Sequence, residues 1–135
     1  MPRMIFVNLP VTDLEQSIRF YEAIGGRKEP KFSNEMAAMI VLSDAIHVML
    51  LTYEKFKYFT PKEICDAAQS TEVLVCLSAE SRERVDEMVR NAVVAGGSTY
   101  NDPQDHGFMY GHGFQDLDGH IWEVIFMEPS AIRPD

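Results

Sequence analysis

The sequence predicts an α+β fold built from two tandem βαβββ modules. Two diglycine pairs, Gly25-Gly26 and Gly96-Gly97, lie 71 residues apart, and each follows an apolar stripe with helical spacing. One strand-like run precedes each stripe and three follow it. We therefore expect module 1 at about residues 1–69 and module 2 at about residues 70–135. The two modules would share a core and form a curved sheet around a groove.

Composition and charge narrow the function classes. The chain has 135 residues, of which 46% are hydrophobic and 24% charged, and its formal net charge is −9. This predicts one globular domain, and the negative charge disfavours nucleic acids and anionic membrane surfaces as partners. No apolar run reaches the roughly 20 residues of a membrane helix, and no secretory leader is recognisable. With only Cys65 and Cys76 as cysteines, we expect a cytoplasmic protein with reduced thiols.

Module 1 is predicted to open with a strand at residues 4–10 and to continue as a helix. The segment Thr12-Asp13-Leu14-Glu15 fits a capping box, in which the Thr12 hydroxyl and the Glu15 carboxylate bond free backbone N–H groups. The helix should stop at the first diglycine pair, because the residue after a helix often needs a positive φ. Strands are then predicted at residues 28–32, 35–42 and 46–53.

Residues 53–69 are predicted to be a loop with a short helix at residues 61–68, which would begin at Pro61. The aromatic segment 53–59 suits either a lid over the groove or a dimer contact. Module 2 repeats the order of module 1, with Leu14 equivalent to Val85 and Ile18 to Val89. Its predicted elements are a strand at 72–78, a helix at 81–95, and strands at 98–101, 109–115 and 120–127.

The two ends of the chain carry its most specific motifs. Residues 7–21 read VNLPVTDLEQSIRFY, and residues 114–124 read FQDLDGHIWEV. The first resembles the opening segment of the vicinal oxygen chelate superfamily, and the second resembles its closing F-x-D-P-D-G-x-x-x-E pattern. That superfamily contains glyoxalase I, bleomycin-resistance proteins, fosfomycin-resistance proteins and extradiol dioxygenases. The resemblance implies paired βαβββ modules around a site, in a homodimer.

The resemblance also implies positions for metal ligands. In metal-using members, His, Gln or Glu side chains at four strand positions hold a divalent ion that acts as a Lewis acid. Carried over one at a time, these positions fall on Phe6, Leu50, Glu72 and Glu123. Glu72 and Glu123 keep an acid, whereas Phe6 and Leu50 have no electron pair to donate. For Glu72 the favoured alternative is an exposed acid at the end of a strand. The resemblance therefore implies an incomplete or rearranged divalent metal site, and the cofactor stays open.

Glu123 is the leading catalytic candidate. It lies in an otherwise apolar strand, at residues 121–126, and burying a carboxylate without a partner is costly. One interpretation is a general base or ligand contact in the groove. The alternative is a structural acid that lies near the strand edge or bonds a neighbour.

Four further residues are predicted to bind the ligand: Asn8, Gln115, His112 and Gly113. Asn8 shares a strand face with the Phe6 position, and Gly113 would make room for the ligand. Strict alternation places His112 on the face away from Glu123, but glycines in a strand often mark a bulge that redirects a side chain.

Two functions remain open. The first is a small-molecule-binding, glyoxalase-like protein with lyase-type chemistry at an incomplete metal site, favoured by the retained Glu123. The second is a non-catalytic protein that sequesters a small molecule, as bleomycin-resistance proteins do, favoured by the two lost ligand positions. A dimeric scaffold is a third interpretation and requires only the exposed aromatic residues.

Overall fold

The chain folds as two compact units, Met1–Ser70 and Thr71–Asp135, in a computed structural model that describes residues 3–131. Each unit contains one four-stranded sheet and one long helix. Along the described part of the chain, no helix is long and apolar enough to cross a membrane. The predicted α+β class with two tandem βαβββ modules is confirmed.

The first unit runs β1 (Ile5–Val11), α1 (Leu14–Ala23), β2 (Arg27–Glu29), β3 (Ala37–Val41), β4 (Ile46–Thr52) and α2 (Tyr53–Lys57). Its strands are ordered β1-β4-β3-β2, with β1 parallel to β4 and the other pairs antiparallel. A parallel pair cannot be joined by a tight turn, and the intervening helix and strands supply the long connection that β1 and β4 need.

The second unit repeats this plan with β5 (Val75–Ser78), α3 (Arg82–Val94), β6 (Gln104–Asp105), β7 (Met109–Gln115) and β8 (Ile121–Met127). Its order is β5-β8-β7-β6, and β5 is parallel to β8. The positions of the strands within each unit are therefore the same, as the sequence repeat predicts.

Side-chain caps start both long helices. The Asp13 carboxylate accepts the Gln16 N–H at 3.1 Å, and the Ser81 hydroxyl accepts the Arg84 N–H at 3.1 Å. The sequence predicted Thr12 as the cap of α1, but the capping residue is Asp13. Asp13 has the extended backbone of a capping residue, with φ −137° and ψ 100°, which lets its carboxylate reach the first turn.

The two long helices also end alike, as the diglycine repeat predicts. Gly25 has a φ of 112° and Gly96 a φ of 109°. In both helices the next glycine donates its N–H to the carbonyl five residues earlier, at 2.8 Å. This is the long bond of a Schellman motif, which requires a left-handed residue and so favours glycine.

One face of each sheet packs against its long helix. In the second unit, Phe114, Trp122 and Val124 on this face are fully buried. Tyr110, on the same face, donates its hydroxyl to Asp86 of α3 at 2.6 Å. Successive side chains of a strand point to opposite faces of the sheet. The residues that alternate with Phe114, Trp122 and Val124 therefore lie on the face away from α3.

The helix predicted at residues 61–68 is wrong. Asp66 accepts the Ala68 N–H on its side chain at 3.0 Å, and Thr60 accepts the Lys62 N–H at 3.1 Å. Such local side-chain bonds offer the backbone an alternative to helical pairing. The short helix of this region is α2, directly after β4.

The strand predicted at residues 98–101 is also wrong. Only Ser98 pairs with β7, through an isolated bridge to Gln115, and regular pairing resumes at β6. Pro103 lies between these two points and has no N–H to donate to a ladder.

Candidate functional site

A row of four residues crosses the second sheet on the face away from α3. Glu123 in β8 pairs with Gly113 in β7 and with Cys76 in β5. Tyr100, beside the edge of β7, lays its phenol over Gly113, where an added Cβ would collide with the hydroxyl group. We call Tyr100, Gly113, Glu123 and Cys76 the Glu123 row. Since cross-strand partners have Cβ atoms about 4.5–5.5 Å apart, the phenol, carboxylate and thiol share one patch of surface.

Apolar and amide groups border the Glu123 row. Ile121 and Ile125 flank Glu123 on the same face of β8, and both are half-buried. Gln115 pairs with Ile121, and its side-chain amide donates to the Ser98 hydroxyl at 3.4 Å. A few polar groups among apolar side chains are typical of small-molecule sites.

The Glu123 carboxylate has no partner among residues 3–131. The residue is half-buried, and within residues 3–131 no donor lies within hydrogen-bond distance of the carboxylate. The Lys and Arg residues of segment 71–131 are Arg82, Arg84 and Arg90, and all three belong to α3, across the sheet. The carboxylate is therefore available to a bound molecule.

Glu123 influences the two weak acids beside it. The pKa of the Cys76 thiol is raised by withdrawal from water and then by the charge of Glu123, although part of the residue is exposed. The pKa of the Tyr100 phenol is raised by the same two causes and by Cys76. Both groups are therefore protonated at neutral pH, so Tyr100 can donate a hydrogen bond and Cys76 is a poor nucleophile.

Two anchors hold the edge segment that carries Tyr100. Ser98 exchanges backbone hydrogen bonds with Gln115 at 2.7 and 3.2 Å. His112 Nε2 bonds the carbonyl oxygen of Asn101 at 2.8 Å. Because a carbonyl can only accept, Nε2 must carry the proton. The anchors therefore bracket Tyr100 on both sides along the chain.

The bulge suggested at His112 does not form. β7 pairs with β8 without interruption from Met109 to Gln115, so His112 lies on the α3 side of the sheet, opposite Glu123. The space beside Gly113, predicted to admit a ligand, holds the Tyr100 ring. Sequence reasoning missed Tyr100, and its only signal was Gly113, since a glycine within a strand often marks a close approach by another group.

Arg82 fixes the loop that follows the Tyr100 segment. Its guanidinium donates to Asp105 at 2.8 Å and to the Gly107 carbonyl at 3.0 Å, and it lies 5.1 Å from the centre of the Tyr110 ring. The hydrogen bond from Arg82 lowers the pKa of Asp105. The loop is therefore tied to α3, away from the Glu123 row.

The prediction that Glu72 opens the first strand of the second unit is wrong. β5 begins at Val75, and Glu72 is exposed before it. Continued in the same parallel register, Glu72 would lie opposite Gly119, which precedes the start of β8 at Ile121. The β5 residue that pairs with Glu123 is Cys76.

The candidates of the first unit lie on two different faces of its sheet. Phe6 stacks on His47, with ring centres 4.7 Å apart, and Asn8 follows Phe6 on the same face with an exposed side chain. Leu50, carried over as the second metal position, is fully buried on the opposite face. His47 is only 7% exposed, and its Nδ1 has no hydrogen-bond partner in the region that the structure describes.

These residues do not fit the divalent metal implied by the resemblance. Across residues 3–131, no group of three or more His, Cys, Asp or Glu side chains could hold a metal ion. In the Glu123 row, the carboxylate is accompanied by a thiol and a phenol that are both protonated at neutral pH, and by no imidazole, whereas such ions need several oxygen or nitrogen donors with a free electron pair. The chemistry of the row therefore depends on its own side chains.

The fold and sequence match known proteins. Hypothetical protein SA1046 from S. aureus is 28% identical, over 93% of this chain and 95% of that chain, with a TM-score of 0.77. A glyoxalase-related enzyme from Fulvimarina pelagi is 20% identical, over 93% and 88%, with a TM-score of 0.78. Fosfomycin resistance protein FosX from Mesorhizobium loti is 16% identical, over 97% and 94%, with a TM-score of 0.67. The last two similarities show the fold alone.

Comparison with curated proteins finds no significant match. The family model of the Glyoxalase/Bleomycin resistance protein/Dioxygenase superfamily, however, matches residues 3–124, which is most of the chain. The opening and closing motifs both lie within the matched residues. The chain therefore belongs to the Glyoxalase/Bleomycin resistance protein/Dioxygenase superfamily.

Proposed function

We propose that this chain binds a small, partly apolar molecule at the Glu123 row. The observation that carries the proposal is a half-buried carboxylate that has no donor or cation among the described residues. Keeping such a group on an apolar strand costs stability, so a role in ligand binding would explain it. The superfamily contains both enzymes and resistance proteins, and either kind of member binds small molecules.

Each group of the row has a distinct role in this proposal. Glu123 accepts a hydrogen bond or a proton from the ligand, and Ile121 and Ile125 contact its apolar part. Gln115 offers an amide at the border of the row. Asn8, exposed in the first unit, remains a predicted ligand contact there.

Two outcomes of binding are candidates. Lyase-type chemistry is favoured by a carboxylate that can accept a proton beside a phenol that stays protonated. Sequestration without turnover uses the same contacts and is favoured by the lack of fit to a metal ion. Mass spectrometry of the ligand recovered after incubation distinguishes the two outcomes, because only lyase-type chemistry changes the mass of the ligand.

Thermal melts with a panel of small oxygen-rich compounds test the proposal. A ligand should raise the melting temperature of the wild type, since binding to the folded state stabilises it. The same ligand should have little effect on Glu123→Gln. Glu80→Gln is the matched control, because Glu80 is an exposed acid in the turn before α3, and it should respond like the wild type. An equal ligand response in Glu123→Gln contradicts the proposal.

A cytoplasmic location and a homodimer belong to the same proposal. The free thiols of Cys65 and Cys76 suit a reducing compartment. Tyr58 is 82% exposed and Phe59 68% exposed directly after α2, and exposed aromatic surface of this kind suits a protein interface. Light scattering should give the mass of two chains, and the mass of one chain would contradict the dimer.

A further inference from the structure

Tyr100 is fixed in place without the use of its hydroxyl group. The Cζ atom of its ring lies 2.6 Å from the point that a Cβ on Gly113 would occupy, so the ring packs directly on the strand. Ser98 on one side and the bond from His112 to Asn101 on the other hold its segment. No hydrogen bond to the Tyr100 hydroxyl forms within the described range, 3–131. A donor that is packed on the strand and not used by the described residues can bind a ligand at little entropic cost.

The hydroxyl group of Tyr100 stands beside the Glu123 carboxylate. An added Cβ on Gly113, the cross-strand partner of Glu123, would collide with this hydroxyl group. Partners of this kind are about 4.5–5.5 Å apart at Cβ, so one small chemical group can reach both side chains. The phenol donates and the carboxylate accepts. A primary carboxamide, which offers a carbonyl oxygen next to N–H donors, is complementary to this pair.

We propose that Tyr100 and Glu123 act together as a recognition pair for a primary carboxamide, and that the row rejects carboxylate ligands. The arginines of segment 71–131 lie across the sheet on α3, so a bound carboxylate would be repelled by Glu123 with no cation from this segment to offset the repulsion. Ile121 and Ile125 supply apolar contacts beside the pair. The inference rests on the proposed function and names its ligand class.

His112 has a positioning role in this proposal and does not touch the ligand. Its Nε2–H group holds the carbonyl of Asn101, the residue after Tyr100, from the α3 side of the sheet. Without this bond, the segment is held by the backbone bonds of Ser98 on one side of Tyr100 and, among the described residues, by no backbone–backbone bond on the other until β6 pairs with β7 at Gln104. The affinity for a carboxamide should therefore depend on a donor at position 112.

Benzamide and benzoate are suitable probes, because they share a ring and differ only in the polar group. We expect amide resonances of residues 113 and 121–125 to shift when ¹⁵N-labelled protein is titrated with millimolar benzamide. Benzoate should bind at least about tenfold more weakly. Tyr100→Phe keeps the ring and removes the donor, and should weaken benzamide binding by roughly 3- to 10-fold, the effect of one hydrogen bond. In Glu123→Gln, which lacks the negative charge, the affinity for benzoate should no longer be lower than the affinity for benzamide.

The positioning role is tested with two substitutions at one site. His112→Gln keeps a side-chain N–H donor and should bind benzamide within about twofold of the wild type, whereas His112→Phe should weaken binding as much as Tyr100→Phe. Equal losses in both variants would overturn this role. Amide spectra of each variant without probe report whether the fold is intact.

The outcomes separate this inference from the proposed function. Binding of benzoate as strong as that of benzamide, an unchanged affinity in Tyr100→Phe, or binding of neither probe overturns the carboxamide inference. The proposed function survives each of these results if the compound panel still stabilises the wild type and not Glu123→Gln. It fails only when those melts fail.

Discussion

Glu123 shows how a single residue can be placed for function at a cost in stability. Its neighbours in β8 are apolar, its side chain is half-buried, and the described residues provide neither a donor nor a cation for it. The carboxylate also opposes ionisation of Cys76 and Tyr100. Folding alone gives no reason to keep an acid at this position.

Replacing Glu123 with Gln should therefore not destabilise the protein. The substitution keeps the shape of the side chain and removes a charge that is costly to bury, so the free energy of unfolding should stay the same or rise. Urea denaturation of the wild type, Glu123→Gln and the Glu80→Gln control measures this. A loss of about 1–3 kcal/mol would mean that Glu123 satisfies a buried structural partner, contrary to what we infer.

At the scale of single residues, the sequence identified Glu123, Gly113 and Gln115 and missed Tyr100. An acid in an apolar strand is visible in the sequence, and alternation alone placed His112 on the opposite face. Tyr100 could not be assigned, because its position depends on a ring packing over Gly113 from a segment with almost no regular pairing. Glu72 was assigned in place of Cys76, since the register between β5 and β8 depends on residues distant in sequence and sets Cys76 opposite Glu123.

At the scale of elements, the sequence predicted helices and their ends correctly where a single residue determines the local backbone conformation. The diglycine pairs predicted the ends of both long helices, and the apolar stripes predicted their buried faces. The weak points were segments in which polar side chains compete for the backbone, such as residues 61–68. Strand lengths also depend on partners that are distant in sequence, as residues 98–101 illustrate.

Substitution of Gly25 tests the helix-end interpretation. Its φ is 112°, and no atom lies within 4 Å of an added Cβ, so any cost of Gly25→Ala comes from the backbone alone. We expect a loss of roughly 1–2 kcal/mol in the free energy of unfolding, the cost of placing an L-residue in the left-handed region. Gly25→Asn is the matched variant and should lose less, because Asn tolerates positive φ. Equal stability of the wild type and Gly25→Ala in urea denaturation would contradict this.

At the scale of the whole molecule, the acids of the Glu123 row predict a response to alkaline pH. The pKa values of Cys76 and Tyr100 are raised in the folded state, so folding favours their protonated forms. This contribution to stability is complete below the ordinary thiol pKa of about 8.5 and is lost as the pH rises through the folded-state values. The free energy of unfolding should therefore fall with pH in the alkaline range.

Glu123→Gln should make that fall shallower without abolishing it, because the charge of Glu123 is the second cause of both shifts and desolvation is the first. Urea denaturation of the wild type and the variant at a series of pH values from neutral to alkaline measures the two slopes. Identical slopes would show that the carboxylate does not act on the thiol and phenol.

The architecture of the whole chain could be predicted from the sequence because the same pattern of elements occurs in both halves. The same order of strand, helix and three strands, with matching helix ends, appears in both halves, and the structure confirms it. The binding site was less accessible, since it depends on cross-strand register and on one face of one sheet. Family membership supplies the fold, and the function must be sought in the residues of the Glu123 row.

The position of a bound ligand is the most direct measurement of this site. We would titrate ¹⁵N-labelled wild type with a compound selected by the thermal melts and follow every backbone amide. A ligand at the Glu123 row predicts that the largest shifts occur at Cys76, Gly113, Gln115 and Glu123, and that they vanish in Glu123→Gln. Large shifts confined to α3 or to the first sheet, with these four amides unchanged, would contradict it.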